Sequence, residues 1–145
     1  MNNNMGLRVG NAHNRINNLR ETWQIFLDHL KQNTDLDSVP SNINVDDEVI
    51  SVDCFGKQVS AYPRTVSDGN GGFAIEYVFY TDEDEGSEEI WRFYLTSNGQ
   101  LVDAVDQAGI ICDFNNRHAA KNICLYVLSN ALESSIFRPS AHQNG

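Results

Sequence analysis

The stretch FAIEYVFYT-DEDEGSEE-IWRFYLT-SNG-QLVDAVD, which begins at Phe73 and ends at Asp106, decides the fold. Two aromatic-rich runs flank an acidic segment, and a short turn then leads into a third apolar run. Both aromatic runs are too short for a typical helix, and their β-branched and aromatic residues fit a pleated, half-buried surface. We therefore predict a β-meander, in which consecutive antiparallel strands are neighbours.

Alternation within the aromatic runs divides their side chains between the two faces of the predicted sheet. In the first run the two sets are Ile75, Tyr77 and Phe79 against Glu76, Val78 and Tyr80. In the second run they are Trp91, Phe93 and Leu95 against Ile90, Arg92 and Tyr94. Neither face is wholly polar. We therefore expect helices on one face and at least partial cover of the other, by the chain itself or by a partner.

Apolar residues at three- and four-residue spacing predict a helix on each side of the meander. The first helix is predicted from about Ala12 to Gln32, with Trp23 and Phe26 as its anchors on the sheet. The last helix is predicted to run to about Ser135, with Asp113 or Asn115 as its cap.

The fold class predicted from this layout is α+β, with an N-terminal and a C-terminal helix packed on an antiparallel meander sheet of four to five strands. Further strands are predicted in residues 45–55, where apolar and polar residues alternate, and in residues 58–62, which end before Pro63. The predicted domain covers residues 12–138. We expect residues 1–11 to be a flexible N-terminus and residues 139–145 a polar tail.

The chain is acidic, since 20 Asp and Glu against 10 Lys and Arg give its 145 residues a formal net charge of -10. Nucleic-acid phosphates and anionic membranes repel this charge, whereas a basic protein surface attracts it. No apolar run approaches the roughly 18 residues of a membrane span, and the start MNNNMGLR has no signal-peptide core. Three cysteines leave one unpaired in any disulfide scheme. We expect a cytoplasmic protein.

The acidic segment of the meander is the main candidate for a partner-binding surface. It places six carboxylates between the two aromatic runs: Asp82, Glu83, Asp84, Glu85, Glu88 and Glu89. Such a hairpin tip can serve only to keep the aromatic strands soluble and unpaired at their edges. Alternatively, its carboxylates can mimic phosphates and occupy a Lys- and Arg-lined groove meant for nucleic acid. The neighbouring Asp46, Asp47 and Glu48 extend this surface if they lie on the same side.

The aromatic residues beside the acidic segment are the second candidate surface. Tyr62, Tyr77, Tyr80, Trp91 and Tyr94 exceed what one sheet face needs to pack on two helices. Tyrosine and tryptophan are enriched at interface hot spots. We therefore add Tyr80, Trp91 and Tyr94 to the predicted partner-binding residues, and a homodimer across the open face is an alternative use of them.

No cofactor or metal site is predicted. The acidic segment begins like a calcium loop at Asp82, but Gly86 falls at its fifth position and Phe93 at its twelfth, where an EF-hand needs glycine sixth and glutamate twelfth. Cys112, His118 and Cys124 match no common zinc spacing. Cys112 with His118 as nucleophile and base is the enzymatic alternative, although no third orienting group is evident.

The run LTSNGQLVDAVDQAGI, which begins at Leu95 and ends at Ile110, resembles a hairpin found in small bacterial and phage domains of unknown function. In those domains a strand ending in Leu-Thr is followed by a glycine-containing turn and then by a Leu and an Asp that lead to a Gly. The turn here is a residue shorter. The resemblance implies that the protein is associated with phages or mobile elements, and it implies no activity.

These observations favour a non-enzymatic, acidic inhibitor that docks on a basic nucleic-acid-handling protein and blocks it, as anti-defence proteins of phages and mobile elements do. The first alternative is an immunity protein or secretion chaperone that binds a cognate toxin or effector. The second alternative is a small enzyme that uses Cys112 and His118.

Overall fold

The computed structural model describes residues 2–33, 36, 39–81, 87–104, 109–137 and 139. Within them the chain forms a long N-terminal helix, an antiparallel sheet of seven strands and a C-terminal helix. The predicted α+β class is confirmed.

The seven strands are neighbours in the order in which they occur along the chain, so the sheet is one continuous meander. Each strand pairs antiparallel with the next, and short turns can therefore connect most of them. The strands are β1 (Ile43–Asp46), β2 (Val49–Cys54), β3 (Lys57–Ser67), β4 (Phe73–Thr81), β5 (Glu89–Thr96), β6 (Gln100–Val102) and β7 (Ile110–Asp113).

The prediction of four to five strands was wrong, because the edge strand β1 was missed and the sequence of the other edge strand, β7, is ambiguous between a short strand and a loop. β1 and β7 contain four residues each, which are too few for an alternation of apolar and polar residues to be recognised. β1 is defined by its pairing with β2, which a turn with Asp47 at a φ of 56° makes possible. The edge strands therefore depend on a neighbour that local sequence does not reveal.

Strand β3 is longer than predicted and continues through Pro63. Proline lacks the N–H that a central strand must donate, so it is tolerated where one edge of a strand is unpaired. Here β2 pairs with β3 only as far as Ala61, while β4 follows β3 to Ser67. Among the described residues, the far half of β3 consequently has a neighbouring strand on one side and none on the other, and Pro63 lies in that half.

Two helices, α1 (Asn2–Gln32) and α2 (Ala119–Leu132), share one hydrophobic core with the sheet, and a short 3-10 helix (Ser135–Phe137) follows α2. The predicted anchors of α1 are confirmed. The ring of Phe26 meets that of Phe93 edge-on at a centroid distance of 6.1 Å, and the Trp23 indole hydrogen-bonds Tyr77. In the part of the chain that the structure describes, no helix combines the length and apolarity needed to cross a membrane.

Both helices begin at positions other than those predicted. α1 begins at Asn2 and not near Ala12, so the segment predicted as flexible includes helical residues. α2 begins at Ala119, because Asn116 first forms a turn in which its side chain accepts the N–H of His118 at 2.8 Å and its carbonyl accepts that of Ala119 at 2.9 Å. Neither Asp113 nor Asn115 caps the helix.

The antiparallel order gives the sheet two distinct ends. The β2–β3 and β4–β5 connections lie at one end, which we call the hairpin end. The β1–β2, β3–β4 and β5–β6 turns lie at the other, which we call the far end. The acidic run Asp46, Asp47 and Glu48 belongs to the far end. The sequence left open whether this run extends the acidic segment of the β4–β5 connection. It does not, because that connection starts and ends at the hairpin end.

Candidate interaction surface

One face of the sheet, which we call the outer face, lies opposite the shared core. Alternate residues of β4 and β5 enter the core, so the residues between them, and their partners on β3, point to the outer face. The main ones are Ser60, Tyr62, Arg64, Val66, Ala74, Glu76, Val78, Tyr80, Arg92 and Tyr94. A small apolar cluster of Ala74, Tyr94 and Val102 with Val66 includes no residue of either helix.

Glu76 is the centre of the outer face and is 7% exposed. Three strands supply its partners: Arg64 of β3 lies 3.1 Å from one carboxylate oxygen, Arg92 of β5 lies 3.3 Å from the other, and the Tyr94 hydroxyl donates to the latter at 3.1 Å. Strand register produces this arrangement, since Arg64 and Tyr94 are the direct cross-strand neighbours of Glu76. A buried carboxylate with several donors forms a rigid centre.

Arg92 connects this centre to the start of β5. Its Nε donates to Glu89 at 2.7 Å, and a second guanidinium nitrogen donates to the other oxygen of the same carboxylate. The pKa of Glu89 is lowered, mainly because its carboxylate accepts hydrogen bonds from Arg92. The pKa of Arg92 is raised, mainly by the same interaction. The predicted partner-binding carboxylate of Glu89 is thus paired within the chain.

Tyr62 and Tyr80 are the exposed aromatic residues of the outer face, at 67% and 43% exposure. Tyr62 stands opposite Val78, and Tyr80 opposite Ser60, on adjacent strands. A tyrosine ring supplies apolar area and a hydroxyl at a small cost in conformational entropy, which is why such residues serve as anchors in interfaces.

The three aromatic residues predicted to bind a partner lie in different environments. Tyr80 is exposed on the outer face, whereas Tyr94 is buried there at the Glu76 carboxylate. Trp91 points to the helix side, where its ring stacks on Tyr126 of α2 at 4.8 Å. Ile90 was expected on the face opposite Trp91 but belongs to the core, because a bulge between Phe79 and Tyr80 shifts the register.

The acidic segment is described only in part. Asp82, Glu83, Asp84 and Glu85 lie outside the described residues. Glu88 lies at the base of the connection, where one carboxylate oxygen accepts the backbone N–H of Ser135 at 3.1 Å and also its hydroxyl. The backbone of Glu88 closes on Thr81 through two bonds of 2.9 Å. The base of the hairpin is therefore fixed to β4 and to the segment after α2.

The cysteines are all free thiols and are shielded to different degrees. Burial raises the pKa of Cys54 to about 11 and that of Cys124 to about 12. Burial also raises the pKa of Cys112, whose side chain hydrogen-bonds Asn122. A thiolate is the nucleophilic form, so a raised pKa disfavours nucleophilic chemistry.

His118 is engaged elsewhere, because its Nε2 accepts a hydrogen bond from Arg117 at 3.1 Å. The Cys112 thiol and the His118 ring thus have Asn122 and Arg117 as their hydrogen-bond partners. Among the described residues, no group of three or more His, Cys, Asp and Glu side chains is arranged to hold a metal ion.

Sequence reasoning missed the central role of Glu76, Arg64 and Arg92. The available signal was a glutamate within an otherwise apolar and aromatic strand, since a charge at such a position is rarely left unpaired. Its partners could be found only from the strand register.

Comparison of the chain with protein-family models, with curated proteins and with solved structures found no match.

Proposed function

We propose that this protein acts by binding another protein, and that its outer face together with the acidic β4–β5 hairpin docks on a basic surface. The observation that carries the proposal is the pair of exposed tyrosines, Tyr62 and Tyr80, on a sheet face whose centre is held rigid by the Glu76 network. A rigid platform with exposed aromatic anchors costs little ordering on binding.

Charge supports the choice of partner. The chain has a net charge of -10, and four of its carboxylates, Asp82 to Glu85, are consecutive in the sequence between β4 and β5, shortly after Tyr80. A cluster of this sign steers a positively charged macromolecule toward the neighbouring surface. We therefore propose that the protein is an inhibitor of a nucleic-acid-handling protein, whose basic groove it occupies, and the hairpin resemblance of residues 95–110 suggests a phage or mobile element as its source.

The enzymatic alternative has less support. Burial raises the pKa of Cys112, and the thiol and the His118 ring have separate partners in Asn122 and Arg117. An activated cysteine needs a lowered pKa or a base within hydrogen-bond reach. Neither is seen for this pair among the described residues, and for this reason we favour binding over catalysis.

The test begins with capture of partners from the native host and continues with the purified partner. The double variant Tyr62→Ala, Tyr80→Ala is expected to weaken binding by about a hundredfold or more, because hot-spot tyrosines contribute roughly 2 kcal/mol or more each and every 1.4 kcal/mol is about tenfold. The quadruple variant D82N, E83Q, D84N, E85Q is expected to slow association and to flatten its dependence on salt.

Tyr126→Ala is the matched control, since this tyrosine is similarly exposed but lies on α2, at the helix side of the sheet. It should leave binding unchanged once correct folding has been checked. Equal binding by the wild type and the Tyr62, Tyr80 variant would remove the outer face from the proposal. Capture of a toxin or secreted effector would instead favour the immunity or chaperone alternative.

A further inference from the structure

The turn between β3 and β4 contains an asparagine followed by a glycine, Asn70–Gly71. In such a pair the glycine nitrogen can attack the side-chain amide carbon of the asparagine, because glycine has no Cβ to hinder the approach. A second pair, Asn98–Gly99, lies in the β5–β6 turn, and a third, Asn144–Gly145, lies outside the described residues. The two described pairs have the same chemistry and differ in their surroundings.

The backbone N–H of Gly71 differs from the other N–H groups of its turn. That of Gly69 donates to the Ser67 hydroxyl at 3.1 Å, and those on either side of Gly71 donate to one carboxylate oxygen of Asp68 at 2.8 and 2.9 Å. The N–H of Asp68 closes the turn on a backbone carbonyl at 3.0 Å. No described residue accepts the N–H of Gly71, and both Asn70 and Gly71 are exposed. The attacking nitrogen is thus the one that the described part of the turn leaves to solvent.

The Asn98–Gly99 pair is held in place by hydrogen bonds. The N–H of Gly99 donates to the carbonyl of Thr96 at 3.0 Å, and the side-chain oxygen of Asn98 accepts the Thr96 hydroxyl. Gly99 is buried, and its carbonyl accepts the N–H of Phe114 at 2.8 Å. Attack by the Gly99 nitrogen requires the turn to open first, so the reaction at this pair occurs only from a locally unfolded state.

We propose that Asn70 is a site of spontaneous deamidation and isomerisation. The Gly71 nitrogen gives up its proton and forms a bond to Cγ of Asn70, and the side-chain NH₂ group leaves with a proton as ammonia. The product is a cyclic imide. Water then adds to one of its two carbonyl groups and breaks the C–N bond there. This yields either aspartate or isoaspartate, in which the backbone runs through the former side chain. The proposal is independent of the proposed function.

Isoaspartate at this position would change how α1 is attached to the sheet. The guanidinium of Arg15 in α1 donates to the carbonyl of Gly71. The isoaspartate backbone is longer by one methylene group, which displaces this carbonyl from the guanidinium. Residues 4–11 of α1 are all exposed, and Leu19 is the first fully buried residue of the helix among those described. The modification therefore loosens the helix before Leu19 and leaves the core intact.

Peptide mapping of the full chain by mass spectrometry tests the site. The protein is incubated at mildly alkaline pH, with and without urea, and deamidation is followed at each asparagine. In the native chain Asn70 is expected to react at least about tenfold faster than Asn98, because the hydrogen bonds of the Asn98 turn must open first. In urea the two rates should converge, since a glycine follows both residues.

Asn70→Gln is the matched control, because it keeps an exposed amide but would have to form a larger and less favourable ring. It should gain no isoaspartate at position 70, which an isoaspartyl methyltransferase with a labelled methyl donor detects. Equal native rates for Asn70 and Asn98 would overturn the proposal. So would a rate for Asn70 that is at least about tenfold lower in the native chain than in urea, since the turn would then protect it as hydrogen bonds do.

Hydrogen exchange of residues 4–18 tests the effect on α1. The isoaspartate form of the wild type, isolated by chromatography after incubation, should exchange faster in this segment than fresh protein does. Asn70→Gln incubated in the same way should not change. Asn70→Asp adds the charge without lengthening the backbone and should also exchange like fresh wild type. Equal exchange in the isoaspartate form and in fresh protein would overturn the proposed loosening of α1, and so would faster exchange in Asn70→Asp.

Discussion

The indole N–H of Trp23 donates to the hydroxyl of Tyr77 at 2.9 Å, inside the core where both side chains are buried. The hydroxyl in turn donates to the carbonyl of Glu48 at 2.7 Å. One side chain of β4 thereby joins α1 to the β1–β2 turn. Since β1 is a short edge strand, this contact is an important part of what holds it in place.

Tyr77→Phe removes the hydroxyl and keeps the ring, which stacks on Phe93 at 5.2 Å. The Trp23 N–H and the Glu48 carbonyl then each lose a partner, so we expect unfolding to become easier by roughly 1–3 kcal/mol. Urea unfolding followed by tryptophan fluorescence measures this change. Hydrogen exchange should also become faster in β1 than in β4, and equal acceleration in both strands would contradict the assigned role.

Glu76→Gln tests the centre of the outer face. The substitution keeps the size of the side chain but leaves Arg64 and Arg92 without the charge that pairs them, so we expect a loss of roughly 1–3 kcal/mol. Glu89→Gln breaks an ion pair of the same Arg92 at an exposed position and should cost less than about 1 kcal/mol. Equal losses in the free energy of unfolding for the two substitutions, measured in urea, would show that Glu76 contributes no more to stability than an exposed ion pair does.

Gly99→Ala tests the turn between β5 and β6. Gly99 has a φ of 84°, and a Cβ placed on it would lie 2.9 Å from the Phe114 ring. We expect a cost of roughly 2–4 kcal/mol, from left-handed strain and overpacking together.

Gly69→Ala is the matched control for that turn. Gly69 has a φ of 83°, but a Cβ there meets no atom within 4 Å, so only the left-handed strain of roughly 1–2 kcal/mol remains. The difference between the two variants in urea unfolding measures the Phe114 contact. No difference would mean that the Phe114 ring moves aside freely.

Alkaline pH should destabilise the protein, because burial raises the pKa of Cys54 to about 11 and that of Cys124 to about 12 from an ordinary 9.0. The two protonated thiols contribute fully to the free energy of unfolding below pH 9.0. This contribution is lost as the pH rises from there through the pKa values of the thiols in the folded protein. Burial raises the pKa of Tyr77 as well. The free energy of unfolding should therefore be level near neutral pH and fall above 9.0, which urea titrations at a series of pH values will check.

The double variant Cys54→Ala, Cys124→Ala separates these groups. It will be less stable at neutral pH because two buried side chains are shortened. Above pH 9.0 its decline should be shallower than that of the wild type, because Cys112 is then the one cysteine left whose pKa burial raises, and it should steepen near pH 10.0, the ordinary pKa of the Tyr77 phenol. A decline above pH 9.0 as steep as that of the wild type would assign the effect to other groups.

The sequence was sufficient to predict β4, β5 and the side of α1 that packs on them, because aromatic alternation and helical spacing are strong local signals. It was insufficient for the Glu76 site. Glu76 could be assigned to a face, but Arg64 and Tyr94 become its neighbours only through the register of three strands. Turn lengths and the bulge at Phe79 and Tyr80 decide that register, and no pattern within one strand encodes them.

The first part of α1, residues 4–11, was missed for a related reason. Its glycines and asparagines favour other conformations, although the apolar spacing of the helix continues through Met5 and Val9. The acidic segment stays a prediction for Asp82 to Glu85, while Glu88 and Glu89 turn out to be engaged within the chain, with Ser135 and Arg92.

Thiol labelling compares the enzymatic alternative with the binding function. In the native protein we expect Cys112, which is partly exposed, to react with iodoacetamide before the buried Cys54 and Cys124 do, and more slowly than an unstructured cysteine, since burial raises its pKa. Mass spectrometry of the modified peptides gives the three rates, and labelling in urea provides the reference. Reaction of Cys112 faster than this reference, with a pH dependence that His118→Ala abolishes, would indicate an activated thiolate and favour catalysis over the proposed binding role.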